Sequence, residues 1–332
     1  MLVIDDRGLE RGAPGLEVVR PVGLRRITHA IHDIDGTHSL IRDWPPVMSL
    51  SIHWAMTCGL RDDFDSPAQL RELIARVGRE KLEETDRFCV ESAGLSALTQ
   101  MEFGIRRAIE LGNVPADPRL ALSVEERRGN SEIIRRIWAG QERFLDVAQP
   151  AGLIAFIAER SGRLFKLYEA VLNGACRDRN TADARKHPAK WRVPGALEFM
   201  ERLHAMGCRN YFVTGAVLYA GGGMLEEVEA VGFEVGPGKA VEALLGSSWD
   251  RKMPKDEVMR ELFAREGIDP KAALVIGDGR TEIAAGASFG SVCLSRLPED
   301  ARRQRELHRE LGTNYILRDY TVPELHRLLR KE

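Results

Sequence analysis

The chain changes texture twice, and the order of those changes limits what it can fold into. A short apolar-biased run, Ile27-Thr28-His29-Ala30-Ile31, reads as a strand that runs into His32-Asp33-Ile34-Asp35-Gly36-Thr37. From about Pro46 to Arg185 the pattern is helical, with almost no strand signal. After Val193 helices and short apolar strands alternate: a helix from Ala196 to Met206, the strand Tyr211-Phe212-Val213, a helix with Met224, Leu225 and Val228 on one face, and a helix from Glu257 to Arg265. The strands Ala273 to Ile276, Ser291 to Leu294 and Tyr315 to Leu317 follow. Such alternation means a mostly parallel sheet covered on both faces. The first strand belongs to that sheet, so the helical block is an insertion into it. The expected class is α/β, with a core of residues 1–37 and 191–332 and a helical domain of residues 38–190.

Local signals add detail. Ser66 before Pro67 predicts an N-cap with proline at the first helical position. Ser123-Val124-Glu125-Glu126 fits a capping box. Further helices are expected from about Glu132 to Leu145 and from about Leu153 to Val171. Arg177 to Lys190 is charged and poor in apolar residues, and reads as a linker or hinge. Residues 1 to about 26 form a lead-in with one strand-like piece, Leu16 to Val19.

Composition excludes several classes. At 332 residues the chain is long enough for two real cores, and its 44% hydrophobic and 30% charged content is ordinary for a globular protein. A formal net charge of −2 gives no electrostatic case for nucleic acid or an anionic membrane. Five scattered cysteines (Cys58, Cys89, Cys176, Cys208 and Cys293) argue against a disulfide framework and a zinc knuckle, and place the chain in a reducing cytoplasm. The N-terminus is too acidic for a signal peptide, and no window is apolar enough to span a membrane.

The chemistry concentrates at strand ends. Asp33 and Asp35 stand two apart where the first strand enters its turn, so in an extended chain both point the same way. Like charges held so close need a cation or a shared proton, although an isolated D-x-D-G-T string is also an ordinary Asp/Gly turn. Thr214-Gly215 follows the strand Tyr211 to Val213, where a hydroxyl and adjacent amides suit a phosphate oxygen or simply end the strand. Lys255 opens a helix, the end where the dipole disfavours a cation; Lys252 is its rival. Asp278 follows the strand Ala273 to Ile276 in Gly277-Asp278-Gly279-Arg280-Thr281-Glu282, with Glu282 four residues on and able to reach back. Carboxylates from two strand ends make a cage of hard oxygens suited to Mg²⁺.

Taken in order, Asp33 to Thr37, Thr214, Lys255, and Asp278 with Glu282 resemble the four motifs of the haloacid dehalogenase (HAD) superfamily of phosphohydrolases and phosphotransferases. The resemblance implies a Rossmann-like core with an inserted helical cap, here larger than the common four-helix version. It implies an Mg²⁺-dependent phosphatase acting on a small phosphorylated metabolite. Asp33 is then the nucleophile and Asp35 the general acid and base. Asp33, the Asp35 carbonyl and Asp278 hold the metal, Glu282 orients its shell, and Thr214, the Gly215 amide and Lys255 hold phosphate oxygens. The cap closes over the site and excludes bulk water. Dehalogenases lack an acid at the place of Asp35. The tail Leu311 to Tyr320 resembles the closing strand and loop of HAD proteins that act on sugar phosphates.

His32 and His38 depart from the family pattern. His32 is read as a hydrogen-bonded core histidine; His38 is either a substrate contact or a solvated surface residue. Arg42, Trp44 and His53 are further candidates for substrate selection. A phosphomutase would use the same residues, and a partner-binding protein on a degenerate core is argued against by the intact acids and lysine. Gly286-Ala287-Ser288-Phe289-Gly290 matches a serine-hydrolase elbow in spelling but lies between a helix and a strand in the reverse order. Gly236 to Ala240 lacks the spacing and the hydroxyl of a phosphate-binding Walker loop.

Overall fold

The strand that leads into Asp33 lies inside a parallel sheet, with a neighbour on each side. The computed structural model describes residues 1–9, 15–41, 43–59, 61–63, 66–219, 222–249 and 251–331. Its strands are β1 (Leu2–Asp5), β2 (Leu16–Val18), β3 (Leu24–Ile27), β4 (His29–His32), β5 (Arg209–Val217), β6 (Ala243–Ser247), β7 (Ala273–Gly277), β8 (Val292–Arg296), β9 (Tyr315–Leu317) and β10 (Leu329–Lys331). Seven form one sheet in the order β2-β9-β8-β7-β4-β5-β6, and β10-β1-β3 form a second. All neighbours from β9 to β6 are parallel, and only β2 joins antiparallel, against β9. From β4 the chain steps outward through β5 and β6, then crosses back to β7, β8 and β9 on the other side. This reversal makes a topological switch point at the carboxyl end of β4, the place where open α/β sheets bind ligands.

Period-two alternation divides the sheet between two cores. One face carries Ala30, Phe212, Leu274, Ile276 and Leu294 against Phe199, Met200, Leu203, Met224 and Val228 of the helices Ala196–Ala205 and Gly223–Ala230. The other carries Ile31, Tyr211, Val213, Val275 and Cys293 against Val258, Met259, Leu262 and Ile283 of the helices Lys255–Glu266 and Arg280–Phe289. Near-continuous apolar strands follow from this two-sided burial.

The chain divides into two compact units: residues 1–42, 181–247 and 253–332, and residues 43–180 with 248–252. The helical unit therefore starts later and ends earlier than the expected 38–190, because residues 38–41 and 187–193 are held in the sheet unit. There Leu40 N–H donates to the Trp191 carbonyl at 2.8 Å and Val193 N–H to the His38 carbonyl at 3.0 Å. Within the helical unit, Val47, Leu50, Phe88, Phe103, Ile133, Ile137 and Phe165 are buried among the helices Trp44–Cys58, Glu83–Glu91, Ala97–Glu110, Val124–Trp138 and Ala151–Leu172. Residues 248–252 join it through Trp249, whose ring lies 5.6 Å from that of Phe165, and Lys252, bonded to Glu102 at 2.8 Å.

Several expected elements are corrected. Ile27 and His29 belong to different sheets, since the chain breaks at Thr28 between β3 and β4. The lead-in contributes β1 and β3 as well as β2. Ser123 does cap a helix with a capping box, but that helix runs unbroken as Val124–Trp138, not from Glu132 to Leu145. The expected linker from Arg177 is helix: a π-helical turn, Asn173–Arg177, continues into Asp178–Lys186. Arg177, the first residue of that stretch, is buried against Glu169 at 2.6 Å. β5 runs on to Val217 with a register shift against β6 after Val213. Among the described residues no helix is long and apolar enough to cross a membrane.

His32 and His38 are both fully buried, and their ring nitrogens meet at 2.9 Å. Burial pushes the His32 imidazole down to about 3, and burial, then His32 and Arg296, push His38 well below the usual range. In the unfolded chain both titrate near 6.5, so below that pH the unfolded state binds the extra protons. Their contribution is complete above about pH 6.5 and is lost as pH falls, at up to about 1.4 kcal/mol per pH unit for each. Urea unfolding at pH 7, 6 and 5 should show this loss, with a shallower slope in His38→Leu; equal slopes would refute neutral burial.

Candidate active site

The Asp33 loop is shaped by its own backbone. Asp33 N–H still pairs with the Ile276 carbonyl of β7 at 2.8 Å, so the sheet runs up to the acid. Beyond it, the amides of Thr37, His38 and Ser39 all converge on the Ile34 carbonyl at 3.1, 2.8 and 2.9 Å. The turn requires φ 75° at Gly36, a conformation glycine adopts without steric cost. Thr37 then bridges the two strand ends, its hydroxyl 3.3 Å from Asp33 Oδ2 and 3.4 Å from Asp278 Oδ1.

Lys255 is the first residue of its helix, and its ammonium lies 2.6 Å from Asp33 Oδ1 and 3.0 Å from Glu282 Oε2. The three side chains are 5%, 9% and 1% exposed, so this ion triad is out of water. Glu282 is fixed further by the Gly279 amide, which donates to Oε1 at 2.5 Å, and by the Thr281 hydroxyl, which donates to Oε2 at 2.9 Å. A Cβ on Gly277 would stand 2.2 Å from Glu282 Cγ, so only glycine lets that side chain fold back.

Burial alone would push the Lys255 ammonium down; Asp33 and Glu282 reverse this and hold it well above its ordinary value. Burial would raise Glu282, but Lys255 and the neighbouring amides keep it below the usual carboxylate range. Asp33 is raised, by burial first and then by Glu282, against the opposing pull of Lys255. Asp35 is raised furthest, by burial and by the charges of Glu227, Asp33 and Asp278. Its Oδ1 is buried without a hydrogen-bond partner, and the raised carboxyl keeps its proton to a higher pH than usual.

The donor set fits a hard divalent cation. Oxygens of Asp33, Asp278 and Glu282 lie within 4.8 Å of one another. Asp33 and Glu282 share one buried ammonium while Asp35 and Asp278 add two more carboxyl groups beside them, and an added positive charge would relieve that excess. Both oxygens of Glu282 are already engaged, by Lys255, Gly279 and Thr281, so its place is beside the lysine as much as beside a metal.

The remaining candidates divide. Thr214 lies on β5, two residues past Phe212, the partner of His32 in the β4–β5 register. Its hydroxyl accepts from the Ala216 amide at 3.1 Å, which leaves its own proton to donate; Gly215 lies in the irregular stretch beside it. Lys252 bonds Glu102 in the helical unit, so Lys255 is the lysine at the acids. The expectation of a substrate or surface role for His38 is corrected: it is enclosed by Tyr320, Phe199, Phe212 and Phe233. It stands on the loop that leads into the helical block, and the aromatic core closes over it. Arg42 lies outside the described residues. Trp44 and His53 are half-buried on the first helix of the helical unit. Ser288 sits inside a helix with its hydroxyl on the Ala285 carbonyl at 2.7 Å, which removes the hydrolase elbow.

Glu227 was not foreseen. It is 5% exposed on the helix Gly223–Ala230 and contributes to the rise in Asp35. A signal existed: Glu227 follows Met224 by three residues and precedes Val231 by four, which puts an acid on the apolar face.

No family model matches the chain, and no curated protein matches it. Among solved structures it is similar to a hydrolase from Pseudomonas syringae, with 12% identity, 92% of this chain and 100% of that one covered, and a TM-score of 0.45. A beta-phosphoglucomutase from Clostridium difficile matches at 12% identity over 89% and 92%, with a TM-score of 0.45. A HAD family hydrolase from Deinococcus radiodurans with bound phosphate and sodium matches at 14% identity over 89% and 92%, with a TM-score of 0.39. These likenesses are faint, and the functional reading rests on the site's own residues.

Removing the ammonium should strand two buried carboxylates. Lys255→Met is expected to lower stability by about 3–5 kcal/mol in urea unfolding. Adding Glu282→Gln should recover part of the loss, because the two residues share one ion pair. Strict additivity of the two substitutions would contradict the triad.

Proposed function

We propose that the protein is a divalent-cation-dependent phosphatase of the HAD type, acting on a small phosphomonoester. One observation carries this reading: Asp33, Asp278 and Lys255, from β4, β7 and a helix start far apart in sequence, meet at one switch point beside a carboxyl with an unpaired buried oxygen.

In this reading an Asp33 oxygen attacks phosphorus, and the bond from phosphorus to the ester oxygen breaks. Asp35 gives its proton to the departing alkoxide, the task for which its raised carboxyl is suited. Asp35 then takes a proton from water as the water oxygen attacks phosphorus. The acyl-phosphate bond breaks, and Asp33 returns as a carboxylate with inorganic phosphate released. Lys255 and Thr214 bind the non-bridging oxygens, with the Gly215 amide beside them, and stabilise charge in a water-poor setting. Asp33, the Asp35 carbonyl and Asp278 would hold Mg²⁺, which supplies positive charge against repulsion between carboxylate and phosphate. We assign the cap role to the helical unit. A sugar phosphate is the favoured substrate class, on the likeness of the tail from Leu311 to Tyr320. The five free thiols fit a reducing compartment.

Hydrolysis of p-nitrophenyl phosphate tests this directly. It should require Mg²⁺, stop with EDTA and return when Mg²⁺ is added back. Asp33→Asn should be inactive, and Asp35→Asn should lose about 10²–10⁴-fold in kcat. Wild-type turnover by Asp33→Asn would dismiss the assigned nucleophile. A panel of sugar, nucleotide and amino-acid phosphates would then identify the substrate class.

A further inference from the structure

The loop that carries Asp33 and Asp35 is gripped from behind, on its main chain, by two side chains from the C-terminal part of the fold. Arg296, at the end of β8, donates from Nη1 to the Gly36 carbonyl at 2.8 Å, and its Nε donates to the Arg318 carbonyl at 2.9 Å. Tyr320, 2% exposed, donates its hydroxyl proton to the Thr37 carbonyl at 3.1 Å. Thr37 is the residue whose own hydroxyl reaches Asp33 and Asp278. A shift of its main chain would therefore move the link between the two acids.

Tyr320 in turn packs against a buried polar chain whose proton directions follow from one end. Asn210 Nδ2 donates to the Ala240 carbonyl at 2.8 Å and lies 3.4 Å from that of Met200, which turns Oδ1 towards His32 Nε2 at 3.3 Å. His32 must then carry its proton on Nε2 and accept at Nδ1. The partner nitrogen, His38 Nε2 at 2.9 Å, is consequently the donor. His38 Nδ1 is left without a proton, which agrees with its having no partner in its buried position. The Tyr320 hydroxyl lies 3.4 Å from His38 Nε2, and the two rings stack 5.0 Å apart at 1°. Phe199 stacks on Tyr320 at 4.5 Å. The tyrosine has little freedom to leave the Thr37 carbonyl.

We propose that Tyr320 and Arg296 are positioning residues for the Asp33–Thr37 loop, with the stacking of His38 and Phe199 on its ring keeping Tyr320 in register. The catalytic part of this statement rests on the phosphatase reading; the grip on the loop does not. Tyr320→Phe keeps the ring and its stacking while removing one hydrogen bond. Hydrogen exchange should then speed up by about three- to tenfold at the amides of Thr37, His38 and Ser39, the gain expected from one lost bond. With p-nitrophenyl phosphate and Mg²⁺, kcat should fall by a similar factor while KM stays within about twofold, because geometry rather than binding is disturbed. Leu325→Ala, which loosens the following helix Pro323–Leu328 and removes no hydrogen bond to the loop, is the control for general destabilisation. Unchanged loop exchange in Tyr320→Phe overturns the proposal, as does an equal change in Leu325→Ala. If the wild-type protein fails to hydrolyse the probe, the phosphatase reading falls, and the exchange result alone decides whether Tyr320 holds the loop.

Discussion

The ammonium of Lys255 lies between Asp33 and Glu282 at 2.6 and 3.0 Å, with all three groups out of water. Burying each ion costs several kcal/mol, recovered only where geometry is good and the remaining lone pairs find donors. Glu282 meets that condition through Gly279 and Thr281, and Gly277 through its missing Cβ. The cation also stands at a helix start, where the dipole opposes it. Two carboxylates within hydrogen-bond reach outweigh that modest cost. The same arithmetic leaves the site short of positive charge. Asp35 and Asp278 add to the acids but not to the lysine's partners, and Glu227 adds another nearby. The outcome is two aspartates, Asp33 and Asp35, whose protons are held more tightly than usual, in a place that favours cations.

The sheet is what brings these groups together. β4 pairs with β5 on one side and β7 on the other, both in parallel, so three carboxyl ends open in one direction. His32 opposite Ile276 puts Asp33 level with the residue before Asp278. The acids need no long side chains to meet; register does the work. Lys255 comes from the helix that packs its Val258, Met259 and Leu262 under β5 and β7. A core of ordinary aliphatic contacts therefore sets a charge-to-charge distance.

How much of this could be read beforehand follows from the range of each interaction. Asp33, Asp35 and Gly36 were legible because alternation along a strand and a glycine turn are local. Lys255 was legible as a violation of the helix dipole, and Ser288 was excluded by the order of its flanking elements. β1, β3 and β10 were not legible as one sheet, because their pairing joins Leu2 to Ile27 and to Lys331 and no local pattern records it. Thr28 hid the break between β3 and β4 inside a single apolar run. Arg177 and the charged stretch after it looked like a linker, since sequence does not show that Glu169 waits to pair with it. His38 was misread for a similar reason. The rings that enclose it, Phe199, Phe212, Phe233 and Tyr320, arrive from four separate segments.

The insertion after β4 raises a mechanical problem, because a long excursion begins a few residues beyond Asp33. Loop-closure entropy grows only slowly with length, so the excursion itself costs little more than a shorter one would. The demand falls on its two stems, which must meet at the sheet. Ser39 bridges Arg192 antiparallel, Leu40 N–H donates to the Trp191 carbonyl, and Val193 N–H donates to the His38 carbonyl. The outgoing and returning chains are thus pinned together immediately after the Asp33–Thr37 loop. His38 serves both sides of this arrangement. Its carbonyl closes the stem, and its imidazole lies in the polar chain behind Thr37. Neutral aromatic packing suits that position better than a charge, since burial and the nearby Arg296 guanidinium both disfavour a second cation there. A histidine that never meets solvent can in this way join the anchoring of an insertion to the placement of the Asp33–Thr37 loop.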